Sequence, residues 1–232
     1  PVLISITGIN GPLPFAIGAV VLVIATIPIA FLRDEIAASS GEQPLSLLGF
    51  AGKAPMLLAA VAIFAIIDSA NLGFLPVYGV KKGMEEETAA LALSTFILGN
   101  TVLQFPVGWL ADHVPKHMVS AGCCAVTAIA CGLIPYFFGT WMLWPILTVA
   151  GAASAGIYTV ALSELGDRFS GHELVTGTAC FSVTWGLGAL LGALLAGWSI
   201  AAFGPDGLPY ALAALFAAFF LGAFTNSRRK PA

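Results

Sequence analysis

The sequence predicts an all-α, polytopic membrane protein, and three observations carry that prediction. Hydrophobic residues make up 59% of the 232 positions and charged residues only 9%, where an ordinary soluble domain carries about 25% charge. The mean hydropathy is +0.96. Seven apolar segments each reach the ~20 residues that a helix needs to cross a bilayer. They are long and continuous, as in Leu187 to Leu195, and lack the alternation of barrel strands. Helices are therefore expected, because they satisfy their own backbone hydrogen bonds in lipid. This composition argues against a soluble enzyme, a nucleic-acid binder and a disordered regulator. The net charge of -3 leaves no basic patch for nucleic acid.

In chain order, the first predicted span covers 13–32, and its flank lacks the basic n-region of a signal peptide. A beginning at Pro1 rather than Met predicts a piece of a longer chain. Residues 33–54 read as a cytoplasmic linker, rich in Asp34, Glu35, Ser39, Ser40, Gly41, Glu42 and Pro44. Six further spans follow at 55–77, 89–111, 118–138, 141–165, 173–200 and 209–226, and residues 227–232 form a basic tail. Seven of the nine cations, Arg33, Lys53, Lys116, Arg168, Arg228, Arg229 and Lys230, fall on one side of this topology. Lys81 and Lys82 fall on the other. The positive-inside rule then puts the C-terminus in the cytoplasm and Pro1 outside, as expected of a multi-pass protein of the inner (plasma) membrane. The first three of the six spans have the opposite orientation to the last three, a parity that permits an inverted repeat. Cys123, Cys124, Cys131 and Cys180 lie within apolar segments without metal-ligand spacing and read as reduced packing residues.

The turn Gly108-Trp109-Leu110-Ala111-Asp112-His113-Val114-Pro115-Lys116-His117 resembles the loop motif G-x-L-x-D-[RH]-x-x-[RK]-[RK] of the major facilitator superfamily. Further stretches resemble its YcaD-like, sugar-transporter-type branch. They are Leu75 to Tyr78, Leu103 to Gly108, Ile157 to Leu162, Gly166 to Phe169, Trp185 to Ala189, Leu195 to Gly197 and Phe203 to Pro205. The resemblance implies that the chain corresponds to spans six to twelve of a twelve-span transporter. Residues 1–32 would then be the last helix of the N-terminal half and 55–226 the C-terminal six-helix bundle. It implies a small-molecule solute, the lipid bilayer and the N-terminal half of the same transporter as partners, and no cofactor. His113 replaces the usual Arg and Pro115 enters the turn, which weakens any charge relay through position 113. Asp112 stands at a helix end, where it could accept hydrogen bonds from a neighbouring helix N-terminus. Lys116 is close enough in sequence to pair with it, and Gly108 would admit another helix closely. These three residues, with Glu164, Asp167 and Arg168 at the next cytoplasmic helix end, are the expected gate, although most pairs like the latter serve as simple interface anchors. Glu164 and Arg168 stand four apart in the favourable acid-first order.

Asp68 is the sharpest single signal, a carboxyl near the middle of a span, where charge is expensive by about 2.5–3.5 kcal/mol on insertion scales. Asn71, three residues on, shares its face. Asp68 is expected to bind the solute or a coupling proton. Asn100 and Gln104, four apart, offer amide donors and acceptors to a polar solute or to a neighbouring helix. Tyr158 and Trp185, with Ser154, are further but weaker pathway candidates, since packing accounts for each better. Ser170 with Glu173 reads as a capping box, Gly188, Gly192 and Ala196 as a close-packing stripe, and Tyr136, Trp141 and Trp144 as an interfacial belt.

Three function classes compete. A secondary transporter working by alternating access and coupled to protons is the expectation that fits best. A seven-span receptor or sensor fits the span count but not the long linker, and the last span carries no Lys for a Schiff base. An intramembrane enzyme lacks HExxH, GxSxG or a second mid-bilayer acid. No GxxxxGK[ST] loop supports direct ATP drive.

Overall fold

The computed structural model describes residues 16, 17, 19, 20, 23, 24, 47–102 and 104–227, with side chains through 222. The chain divides into two units, 1–44 and 45–232. In the first, the described residues are helical and Val20, Val23 and Ile24 are exposed; the rest of the 13–32 span and of the 33–54 linker before residue 47, and the cations Arg33, Arg228, Arg229 and Lys230, lie outside the described residues.

The second unit contains α1 (Leu47–Lys53), α2 (Pro55–Lys81), α3 (Glu86–Val102), α4 (Gln104–His113), α5 (Lys116–Phe137), α6 (Leu143–Arg168), α7 (Gly171–Phe203) and α8 (Gly207–Ser227). No strand occurs among the described residues. Five helical stretches, Pro55–Lys81, Glu86–His113, Lys116–Phe137, Leu143–Arg168 and Gly171–Phe203, are long and apolar enough to cross a membrane, and Gly207–Gly222 is a shorter apolar one. The protein is thus an all-α polytopic membrane protein. The helices overrun the apolar segments because their polar flanks stay helical: α7 begins at Gly171 and ends at Phe203, and its 33 residues span about 50 Å, beyond the ~30 Å hydrocarbon core. Pro55 sits in the first turn of α2, where its missing N–H is harmless. Gly83, Gly139 and Gly204 have φ of 94°, 78° and 77°, and each reverses the chain after a helix in a conformation that side chains resist. All three turns lie at one end of the bundle.

The spans alternate in direction, so α2 and α7 run parallel, as do α3 and α6. These two parallel pairs pack extensively, and α5 packs on both α6 and α8. Both crossings rest on glycine. A Cβ at Gly188 would fall on the Ala62 carbonyl, and one at Gly192 on that of Ile66. Across the other pair, a Cβ at Gly99 would fall on the Thr148 carbonyl and one at Gly151 on that of Phe96. Lipid offers helices no hydrophobic drive to associate, so close backbone approach supplies the attraction. α6 is the central helix, burying Ala150 through Ile157 without a break. Cys124, Cys131 and Cys180 pack as buried thiols and Cys123 as a half-buried one.

The outer face is apolar, as a lipid solvent demands: Phe105, Trp109, Leu187, Leu190, Leu194 and Trp198 are exposed. Tyr136 and Trp141 are exposed beside the Gly139 turn and Trp144 is partly buried, matching the expected interfacial position.

Candidate functional site

The helices bring the predicted polar residues together at two levels. The first is mid-bundle. Asp68 lies about halfway along the 27 residues of α2, half-buried, with no hydrogen-bond or ion-pair partner among the described residues. Between the helix ends it is the one charged side chain among the described residues. Asn71 is on the same face and buried. One turn before Asp68, Phe64 stacks on Tyr158 of α6, with centroids 5.2 Å apart and planes inclined by 28°. Tyr158 also meets Phe181 of α7 at 6.5 Å. Its hydroxyl has no partner among the described residues. Ser69, beside Asp68, donates to the Ala189 carbonyl at 2.8 Å and ties α2 to α7 at this level.

The other mid-span candidates stand apart from Asp68. The Ala62–Gly188 and Ile66–Gly192 approaches place Trp185 opposite residues near 59, some nine residues or about 13 Å from Asp68 along the pair. Trp185 is exposed. Asn100 and Gln104 satisfy each other, Gln104 Nε2 donating to Asn100 Oδ1 at 3.1 Å, and stand on the α3–α4 side, where the Asn100 backbone meets Gly151 of α6. Ser154 is buried and donates to the Gly151 carbonyl at 2.9 Å, a packing role. A groove of about 400 Å³ lined by Ile66, Leu191, Leu194, Leu195, Trp198 and Leu215 has no charged, amide or hydroxyl side chain, and none of the candidates lines it.

The second level is the end that holds the Gly108–His117 turn. Lys116 pairs with Asp167, and its Nζ also donates to Ser163 Oγ at 2.6 Å. The expected Lys116–Asp112 pair is therefore absent: α5 starts at Lys116 and packs along α6, which aims the ammonium at the α6 C-terminus. Asp112 is exposed without a partner among the described residues and caps no neighbouring helix. The Cβ position of Gly108 meets nothing within 4 Å, so no described helix fills the approach expected there. His113 Nδ1 lies 2.8 Å from the Trp109 carbonyl and its ring 4.5 Å from the Trp109 ring, so that side chain folds back on its own helix. Glu164 and Arg168 form the expected i,i+4 pair at 2.8 Å. The capping box is a further correction. Ser170 is the N-cap of α7 but its side chain makes no capping bond. Glu173 instead accepts from Lys53 at 2.6 Å. That pair anchors α1, whose Phe50 is fully buried against Phe169 at 4.9 Å. The last residues of the predicted linker are thus a docked helix.

At the opposite end, sequence reasoning missed a cluster. Asp206 in the α7–α8 turn accepts from Lys82 at 3.0 Å and from the Tyr78 hydroxyl at 3.1 Å. Lys82 also lies over the Phe138 ring at 5.4 Å, and Tyr78 meets the same ring edge-on at 5.3 Å. Tyr78 is 1% exposed. These contacts clasp the C-terminal ends of α2 and α5 to the α7–α8 turn. Its partners lie 124 and 128 residues apart, so the only local signal was an acid in a short turn.

Antiparallel apolar spans, glycine crossings and a lone carboxylate at mid-depth define a polytopic helical membrane protein with a polar interior site. The Major Facilitator Superfamily profile matches residues 57–232, and the chain belongs to that superfamily of membrane transporters rather than to the enzymes. The chain is 24% identical over 216 residues to the MFS-type transporter YfkF of Bacillus subtilis, covering 90% of this chain and 55% of that protein. It is 27% identical over 148 residues to the benzoate transport protein of Acinetobacter baylyi, covering 62% and 31%. An MFS-type transporter of Yersinia pseudotuberculosis is 22% identical over 178 residues, covering 76% and 46%. The chain spans about half the length of the curated relatives it matches.

Proposed function

We propose that this chain is one bundle of a proton-coupled secondary transporter that moves a small solute across the inner membrane by alternating access. The observation that carries the reading is Asp68, a carboxyl at mid-depth with no partner among the described residues. A group left unpaired there is available to a proton or a solute, and ionisable groups inside membranes mark such pathways. Residues 55–226 form the C-terminal bundle, 1–32 the last helix of the other half, 33–54 the connection and 227–232 a cytoplasmic tail. The half-length match to the relatives supports a second six-helix half as partner, with the two bundles rocking about a midplane site. The open approach at Gly108 and the unpaired Asp112 are where that half docks when the cytoplasmic gate closes. Lys116, Asp167, Glu164 and Arg168 brace the gate, while Asn71, Tyr158, Asn100, Gln104 and Trp185 line the pathway. Family membership speaks against the receptor reading.

The test is transport, in proteoliposomes under an imposed pH gradient, by this bundle together with its second half, with a screen of sugars, aromatic acids and amines. Asp68→Asn is expected to abolish gradient-driven accumulation. Undiminished gradient-driven accumulation by that variant would remove the proton from the mechanism.

A further inference from the structure

We infer that the face around Asp68 and Tyr158 binds a small organic cation, its charged group on the Asp68 carboxylate and its apolar body on the Tyr158 ring. The inference rests on the proposed role of Asp68 as an interior binding group and adds the sign and shape of the solute. The charge argument comes first. Among the described residues, Lys53, Lys82, Lys116 and Arg168 all stand at helix ends and are paired with Glu173, Asp206, Asp167 and Glu164. Lys81 is exposed at the end of α2. None of these cations lies at the depth of Asp68, so its negative charge is uncompensated among the described residues. An organic anion meets repulsion there, whereas a cation relieves it, and the low dielectric strengthens both effects.

The shape argument is independent. Phe64 precedes Asp68 by one turn on the same helix face, which sets the two side chains about 6 Å apart. The Tyr158 ring stacks on Phe64 and remains partly exposed, while Phe64 and Phe181 behind it are buried. A carboxylate with an aromatic platform one turn away is the donor set that recognises substituted ammonium ions, through charge and the negative face of the ring. Amides and hydroxyls suited to a sugar are not gathered here: Asn100 and Gln104 bond each other on a different helix pair.

The experiment measures equilibrium binding of radiolabelled phenyltrimethylammonium to the purified protein in detergent, with its uncharged isostere tert-butylbenzene and with benzoate as competitors. Saturable binding is expected, competed by neither. Asp68→Asn should weaken it at least about 10-fold, which corresponds to ~1.4 kcal/mol, and Asp68→Glu should restore it to within about 3-fold, near 0.7 kcal/mol. Tyr158→Leu should weaken it about 5-fold and Tyr158→Phe leave it unchanged, because the ring face and not the hydroxyl is the contact. Equal affinity in Asp68→Asn, competition by tert-butylbenzene or benzoate, or no saturable binding overturns the inference. Binding that meets these expectations without any gradient-driven transport refutes the proton-coupled mechanism and leaves the cation site standing. Gradient-driven transport of anionic or neutral solutes alone, without cation binding, does the reverse.

Discussion

Replacing Gly188 with alanine tests whether the α2–α7 crossing holds the bundle together. The new Cβ would sit 2.7 Å from the Ala62 carbonyl oxygen and 2.8 Å from Ala65 Cβ, against a preferred contact of about 3.5–4.0 Å. Both obstacles belong to backbone or to a side chain with no freedom to swing away, so the helices must separate by roughly 1 Å. Overpacking of this kind costs about 1–3 kcal/mol. Gly186→Ala is the internal control, since nothing lies within 4 Å of its Cβ position. Both changes gain the same helix propensity, about 1 kcal/mol. The propensity gain cancels between them and the difference isolates the crossing at ~1–3 kcal/mol, or about 2–12 °C in Tm for a chain of this size. The protein carries its own reporters, because Cys124, Cys131 and Cys180 are 1%, 2% and 5% exposed. A thiol-reactive fluorogenic dye therefore reads thermal unfolding in detergent directly. Equal melting curves for the two variants would refute the argument that glycine is needed for backbone approach at position 188.

The Asp206 clasp separates charge from hydrogen bonding. Asp206→Asn keeps an acceptor for Tyr78 and loses the partly exposed Lys82 pair, a loss of about 0.5–1 kcal/mol after screening. Asp206→Ala also strands a buried hydroxyl, at a further ~1–3 kcal/mol, and the same thiol assay should rank the two variants in that order. Lys116→Met should lower stability by about 1 kcal/mol at low salt and less at high salt, since Asp167 is mostly exposed and screened; an effect indifferent to salt would point to the Ser163 bond instead. Asp112→Asn should leave membrane insertion and melting unchanged, since Asp112 has no partner among the described residues, while slowing transport in proteoliposomes; normal transport would remove Asp112 from the gate.

The sequence by itself determined the five long apolar helices between Pro55 and Phe203 and the isolation of Asp68, because each depends on local hydropathy and helix length. It also determined the Glu164–Arg168 pair, which needs only the i,i+4 geometry of one helix. Only the tertiary structure decided which charges meet across helices. Lys116 passes over Asp112, four residues away, for Asp167, 51 residues away, because α5 packs on α6. Glu173 leaves its capping box for Lys53, 120 residues away, because burial of Phe50 docks α1 there. The mid-bundle candidates divided for the same reason: Tyr158 joins the Asp68 face through Phe64, while Trp185 stands about two and a half turns away along α7 and the Asn100–Gln104 pair lies beside α6. Glycines that read as a stripe in one dimension became crossings once the partner carbonyls were in place, since a missing Cβ has consequences only where another backbone arrives.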